Sequence, residues 1–146
     1  MIDEIKFKIP GKVQAKQRPR LSKGRIYTPQ ATVNYEGYVK WCYSNYANQY
    51  GLKPIQNAIK AEIEVFMPIP KSDSKKKKEA KLSGKIRPTV KPDNDNIAKS
   101  VLDALNGLAY VDDKQIVELK VDKYYGEEPC VYVKLVELEG DIHDGY

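Results

Sequence analysis

The sequence predicts an α/β protein of the α+β type, in which helices pack on one small mixed β-sheet. Two observations predict this class: strand-like and helix-like segments alternate along the chain, and two strand-like segments end it. A third bounds its size: the 146 residues, of which 41% are apolar, are enough for one hydrophobic core and show no internal repeat. We therefore expect a single domain over residues 1–146.

Alternation of apolar and polar side chains marks the expected strands. They lie near residues 5–9, 59–65, 115–125 and 131–135. In the third of them, Val117, Leu119 and Val121 share one face, and Pro129 separates this strand from the last one. The short separation predicts that these two strands pair as a hairpin.

Two segments have the spacing of amphipathic helices. The first begins at Thr28-Pro29 and extends to about residue 50, and its expected buried face consists of Tyr35, Val39, Cys42 and Tyr46. The second extends from about residue 93 to 106, just before Gly107, and its expected buried stripe consists of Ile97, Val101, Leu105 and Leu108. The tyrosines of the first helix suit packing against the core, and they also suit stacking on bases.

Composition narrows the classes of function. The chain carries 25 Lys and Arg against 20 Asp and Glu, a net charge of +5 that fits nucleic acid as a partner or simply a soluble surface. Cys42 and Cys130 form no CxxC pair, which argues against a zinc site or disulfides and favours the reducing cytoplasm. A single histidine, His143, argues against a histidine-based dyad. We see no signal-peptide pattern and no apolar run of about 18 residues, so we expect no membrane association.

Two basic segments are candidate DNA contacts. The first is a loop before the first helix, and its candidate DNA-binding residues are Arg18, Arg20, Lys23 and Arg25. The second is residues 70–88, a solvated, flexible loop or a short polar helix, followed by the acidic motif. Its candidate DNA-binding residues are Lys75, Lys76, Lys77, Lys78 and Arg87. Lys91, which follows the segment, is a further candidate. These lysines either form an arm that binds phosphates or only solvate an insertion, and we favour the arm because it leads into the acidic motif.

Carboxylates are concentrated at the start of the second helix. Asp93 is expected just before the helix and Asp95 in its first turn. Helix capping accounts for one of the four residues 93–96, because Asp and Asn favour helix starts, but it does not need all four. Mg²⁺ prefers oxygen ligands, usually one or two carboxylates together with water and substrate phosphate. The pattern therefore predicts a magnesium site for handling phosphate.

Asp112 and Asp113 add a carboxylate just before the third strand. Adjacent residues of an extended segment point to opposite faces, so only one of the two should join the site, and an Asp-rich turn is the alternative. Lys99 follows Asp95 by one helical turn. It would either pair with Asp95 and Asp103 or contact the scissile phosphate and stabilise its developing charge.

This acidic motif and its surroundings resemble the RusA-type Holliday junction resolvases, which are magnesium-dependent endonucleases of phage and bacterial origin. The matching segments are Arg87-Pro88, residues 91–99 (KPDNDNIAK), residues 101–107 (VLDALNG) and residues 111–117 (VDDKQIV). In order and spacing they resemble the family pattern D-x-D-N, K, D-A-L and D-D-x-Q-V. Residues 18–20 and 25–29 resemble the family more loosely.

The resemblance implies a site, a cofactor and a partner. Asp93, Asp95 and Asp113 match the family's metal-binding catalytic carboxylates, Lys99 matches its active-site lysine, and Asp112 is a further candidate ligand. The family implies one or two Mg²⁺ per subunit, with Mn²⁺ as a substitute, and a small α/β sheet. It also implies a homodimer that resolves four-way DNA junctions by paired nicks during recombination and repair in the cytoplasm of a bacterial or phage-infected cell.

Three other functions stay open at this point. The first is a related magnesium nuclease that acts on other branched or flap DNA. The long lysine-rich insertion is the reason to consider it, because such an insertion would alter the choice of DNA substrate and not the chemistry. The second is a non-catalytic junction-binding protein in which the acidic residues only cap and pair. The third is a structural protein with a basic loop and no DNA affinity, since fold alone does not determine function.

Overall fold

A computed structural model describes residues 4–138, which adopt an α+β fold and confirm the predicted class. The helices are α1 (Gln30–Tyr50), α2 (Lys75–Leu82) and α3 (Asn94–Leu105). The strands are β1 (Glu4–Pro10), β2 (Arg20–Ser22), β3 (Arg25–Tyr27), β4 (Ile59–Pro68), β5 (Ile116–Gly126) and β6 (Cys130–Glu137). No helix within residues 4–138 is both long and apolar enough to cross a bilayer. The sequence predicts that the polar, acidic tail, residues 139–146, frays, and this segment lies outside the described residues.

Four strands form one mixed sheet in the order β1-β6-β4-β5. β6 pairs antiparallel with both β1 and β4, whereas β5 pairs parallel with β4. The predicted hairpin between the last two strands is therefore wrong, because β4 lies between them. β4 buries every second residue and half-buries the others, as a central strand does, so it takes a neighbour on each side. Residues 127–129 cross the end of β4 to connect its two neighbours.

The hydrophobic core lies between one face of this sheet and the helices α1 and α3. α3 buries the predicted Ile97, Val101 and Leu105, and Leu108 packs half-buried just after it. The prediction for α1 is partly wrong: its buried residues are Thr32, Tyr35, Val39 and Tyr43, whereas Cys42 and Tyr46 are half-buried. The helix is rotated so that the ring of Tyr43 packs edge-on against Phe7, with centroids 5.2 Å apart.

The first half of β5 is more exposed than its alternation predicts. Val117 and Leu119 keep 59% and 50% of their surface in contact with solvent. β5 is an edge strand, and a cleft separates this part of it from α3, so no helix covers these two side chains. Apolar residues exposed together on an edge strand are characteristic of an interaction surface.

Both basic segments are more regular than a loop. The first contains the hairpin of β2 and β3, whose two turn residues, Lys23 and Gly24, have φ of 51° and 76°, as a tight hairpin turn requires. We expected the second segment, residues 70–88, to be a flexible loop or a short polar helix. It contains the helix α2, so the loop alternative is wrong. Ser74 caps α2, because its hydroxyl accepts a hydrogen bond of 3.2 Å from the amide of Lys77.

Lys81 attaches α2 to the sheet through Tyr125, and an ion pair with Asp73, in the turn before α2, neutralises its buried charge. Lys81 Nζ lies 2.5 Å from the carboxylate of Asp73, and both side chains are only 8% exposed. The same ammonium lies 4.7 Å from the ring centroid of Tyr125 on β5. Lys81 is thus used for packing, and the α2 lysines that remain exposed, Lys75, Lys76 and Lys77, are presented by an anchored helix.

Candidate active site

The start of α3 presents the acidic motif as the sequence predicts. Asp93 occupies the N-cap position in an extended conformation, and Asp95 lies in the first turn. The Asp93 side chain makes no capping hydrogen bond, so capping does not account for it. Asn94 has a structural role instead, because its side-chain amide donates a hydrogen bond of 3.0 Å to the carbonyl of Val121 on β5. This bond ties the start of α3 to the edge strand.

A cleft of about 400 Å³ separates α3 from β5 and collects most of the predicted site. Its polar lining consists of Asp95, Lys99, Asp103 and Asp113. Its apolar lining consists of Ala98, Leu102, Ile116, Val117 and Leu119. Asp95, Lys99 and Asp113, which are far apart in sequence, therefore face one space, whereas Asp93 lies just before α3 and does not line the cleft.

The neighbours Asp112 and Asp113 have different roles. Asp112 caps the single 3₁₀ turn Asp113–Gln115: its carboxylate accepts a hydrogen bond of 3.1 Å from the amide of Lys114, and its own amide donates one of 2.8 Å to the side chain of Gln115. Asp113 is left free to face the cleft. Asp113 thus lines the cleft, whereas Asp112 caps the turn. The extended segment that we expected here is wrong, because these residues form a 3₁₀ turn.

Close carboxylates perturb each other here. Contact with the Asp112 side chain, together with the charges of Asp112 and Asp103, raises the pKa of Asp113. The backbone hydrogen bond from Lys114 and the contact with Asp113 lower the pKa of Asp112. Crowded negative charge of this kind favours binding of a cation.

Lys99 is exposed and forms no ion pair within residues 4–138. The expected pairing with Asp103 is not observed, because Lys16 takes that carboxylate: its Nζ lies 2.9 Å from Asp103 and 3.4 Å from Glu36. Burial lowers the pKa of Lys16, but these two carboxylates outweigh it and raise the pKa overall. Lys99 is therefore the free ammonium of the cleft.

Lys123 on β5 contacts the segment before the acidic motif, a role that the sequence did not predict. Its ammonium donates hydrogen bonds of 2.5 and 2.9 Å to the carbonyls of Val90 and Pro92, directly before Asp93. Arg87 returns a hydrogen bond of 2.6 Å to the carbonyl of Lys123 and lies 4.0 Å over the ring of Tyr124. These contacts hold the segment that leads into the acidic motif against the edge strand.

The other predicted DNA contacts lie on the surface. Those of the first segment (Arg18, Arg20, Lys23, Arg25) are exposed on the hairpin β2–β3 and just before it. Those of the second (Lys75, Lys76, Lys77) are exposed on α2, where Lys78 is half-buried, and Lys91 is exposed before Pro92.

The donor set of the cleft has the chemistry that Mg²⁺ prefers, since the exposed Asp95 and Asp113 both present carboxylate oxygens. Within residues 4–138, however, no three acidic side chains are grouped closely enough to form a ready metal site. Asp103 is engaged by Lys16. The residues therefore suit a loosely held ion with several water or phosphate ligands, rather than a closed protein cage.

Comparison with known proteins places these residues in a family. The family model described as endodeoxyribonuclease RusA matches residues 10–136, which include the whole cleft. The chain is also similar to "Uncharacterized protein YqaN" of Bacillus subtilis (strain 168). The two are 41% identical over 143 residues, which cover 94% of this chain and 99% of that protein.

Proposed function

Because this chain belongs to the RusA endodeoxyribonuclease family, we propose that it resolves four-way DNA junctions by paired, magnesium-dependent nicks. Membership identifies it as a nuclease that hydrolyses DNA phosphodiesters. The observation that carries the finer proposal is the cleft between α3 and β5, which Asp95, Asp113 and Lys99 line within the part of the chain that the family matches.

Both walls of the cleft would contribute metal ligands. Asp95 on α3 and Asp113 before β5 are the cleft carboxylates that would hold Mg²⁺, and Asp93 at the helix start is a further candidate ligand. Bound there, Mg²⁺ would supply Lewis-acid activation of the scissile phosphate and of the attacking water. The buried stripe of α3 keeps Asp95 in a fixed direction, as a site on a rigid element requires.

Lys99 would stabilise the transition state. Its ammonium forms no ion pair in the described part of the chain, so no protein carboxylate has to be displaced before it meets a phosphate. It follows Asp95 by one helical turn, on the same side of α3. A fixed cation beside the scissile phosphate offsets the negative charge that develops as the water attacks.

Two basic elements, one beside α3 and one against the far end of β5, would hold the DNA. The Lys16–Asp103 pair places the segment that leads to Arg18 and Arg20 beside α3. On the β5 side, Lys81 anchors α2 and its exposed lysines. Lysines and arginines that neutralise phosphates would make binding weaken steeply with salt.

Paired nicks need two sites, and we propose that a homodimer supplies them. β5 is an edge strand of the sheet, and its exposed Val117 and Leu119 line one wall of the cleft. A second copy that packed along this edge would bring two clefts together about a two-fold axis, which matches the near two-fold symmetry of a junction. In sedimentation, Leu119→Lys should shift the protein toward monomer. A dimer as stable as that of the wild type would exclude this surface.

The proposal is tested by charge removal inside the cleft. With Mg²⁺ and an end-labelled four-way junction, Asp95→Asn and Asp113→Asn should each cut at least about a hundredfold more slowly, and Lys99→Met about a hundredfold. Glu118→Gln, an exposed β5 residue outside the cleft lining, is the matched control and should cut like the wild type. Junction affinity in Ca²⁺ should stay within about threefold for all four. Full magnesium-dependent cutting by Asp95→Asn would refute the assignment.

A further inference from the structure

The hairpin β2–β3 exposes a pair of apolar side chains on a basic projection. All six of its strand residues are exposed. Leu21 and Ile26, at 72% and 77% exposure, are the most exposed large apolar side chains of residues 4–138. They stand directly opposite each other in the strand register, so they form one continuous apolar patch.

Positive charge lies on the other face of this hairpin and at both of its ends. Arg20 and Arg25 lie on the opposite face of the hairpin, because neighbouring residues of a strand point to opposite sides. Lys23 lies in the turn at the tip, and Arg18 lies just before the hairpin. None of these four forms an ion pair in the described part of the chain. A protein partner of the same charge, including a second copy of this hairpin, would meet repulsion here, whereas a polyanion would be attracted.

The hairpin also lies near the catalytic cleft. Lys16 is bound to Asp103 of the cleft at 2.9 Å, and the amide of Gln17 donates a hydrogen bond of 3.0 Å to the hydroxyl of Thr32 on α1. β2 begins at Arg20, four residues after Lys16. Four extended residues span at most about 14 Å between Cα atoms. A DNA molecule that occupies the cleft can therefore reach the base of the hairpin.

We propose that Leu21 and Ile26 form an apolar wedge that contacts unstacked bases at the branch point of DNA, while the surrounding cations bind phosphates. This inference rests on the proposed action of the cleft on branched DNA. Apolar side chains such as Leu and Ile insert between base steps in proteins that deform DNA. A branch point offers such a step at low cost, because its bases are already imperfectly stacked, whereas an intact duplex does not. The wedge would thus favour branched DNA over linear DNA.

The test uses a four-way junction with 2-aminopurine at the branch point, in Ca²⁺, so that binding is observed without cutting. Wild-type protein should raise the fluorescence, because this base brightens when it unstacks. The double variant Leu21→Ser/Ile26→Ser should lose most of that rise and bind the junction about tenfold more weakly. Its affinity for linear duplex should stay within about twofold of the wild type, because the phosphate contacts are intact.

Two further variants separate the wedge from general effects. Leu21→Ile/Ile26→Leu exchanges the apolar side chains and should restore the fluorescence rise. Tyr50→Ser removes another exposed large side chain, at the far end of α1, and should behave as wild type. The double serine variant should fold normally, since both of its side chains lie in solvent.

Three results would overturn the proposal: an unchanged fluorescence rise in the double serine variant, an equal loss of affinity for junction and duplex, or a reduced dimer fraction in sedimentation. The last would show that a second copy covers the patch. Cutting by the wild type, measured in Mg²⁺ on the same preparation, tests the proposed function separately. If the wild type does not cut but the double serine variant loses the fluorescence rise, only the catalytic proposal is refuted. If the wild type cuts but the double serine variant keeps the full rise, only the wedge is refuted.

Discussion

Removal of the Asp73 carboxylate should loosen α2 from the sheet. In the wild type this carboxylate lies 2.5 Å from Lys81 Nζ, and both side chains are 8% exposed. Asp73→Ala leaves the Lys81 ammonium beside the ring of Tyr125 without its counter-charge. A cation in that position must either stay poorly solvated or leave its pocket and release the helix.

The size of the effect follows from this burial. Removing one partner of a buried ion pair costs 3–5 kcal/mol, against 0–1 kcal/mol for an exposed pair, so we expect about 3 kcal/mol for Asp73→Ala. If the chain unfolds as one unit, the melting temperature should fall by about 9 °C for a protein of this length. If α2 undocks by itself, its amides should exchange hydrogen at least about a hundredfold faster while the core stays protected.

The assay is denaturant unfolding combined with hydrogen exchange of α2. Lys77→Ala is the matched control, since its ammonium lies 4.0 Å from the same carboxylate but is 56% exposed, and it should cost less than about 1 kcal/mol. Asp73→Leu/Lys81→Met, which removes both charges, should recover to within about 1 kcal/mol of wild type. The reasoning fails if Asp73→Ala unfolds like the wild type by both measurements, or if the double variant is no more stable than the single one.

Two other predictions concern the rim of the cleft. Lys16→Met leaves Asp103 unpaired, so we expect tighter Mg²⁺ binding by calorimetry together with weaker junction binding. Unchanged values for both would show that the Lys16–Asp103 pair does not position the basic segment beside α3. Asp112→Asn removes the neighbouring charge that raises the pKa of Asp113, so the Asp113 titration followed by NMR should move to lower pH. A shift to higher pH, or none, would show that Asp112 does not perturb it.

Features that depend on local periodicity could be predicted from the sequence. The prediction of a second helix from residue 93 to 106 came within one residue of the observed Asn94–Leu105 at both ends. Its position follows from the spacing of its buried residues and from the Asp and Asn at its start. The prediction for Asp112 and Asp113 rested on an extended segment and was wrong on that point, because a 3₁₀ turn that Asp112 caps directs Asp113 to the cleft.

Features that depend on distant partners could not be predicted in this way. The pairing of β5 with β4 instead of β6 depends on which strand occupies the centre of the sheet, and the alternation within β5 is equally compatible with either neighbour. The contact between Lys16 and Asp103 joins residues 87 positions apart. Lys81 looks like any other lysine of its run, and only the packing of α2 against Tyr125 distinguishes it.

Cutting of a four-way junction tests the central claim most directly. Purified protein is incubated with an end-labelled junction and with a linear duplex of matched sequence, each in Mg²⁺ and in EDTA. We predict paired nicks of opposite strands in the junction alone, lost in EDTA and lost in Asp113→Asn. Junction binding without cutting in Mg²⁺ or Mn²⁺ would contradict the account and indicate a binding protein, and cutting of a flap in preference to the junction would indicate a different branched substrate.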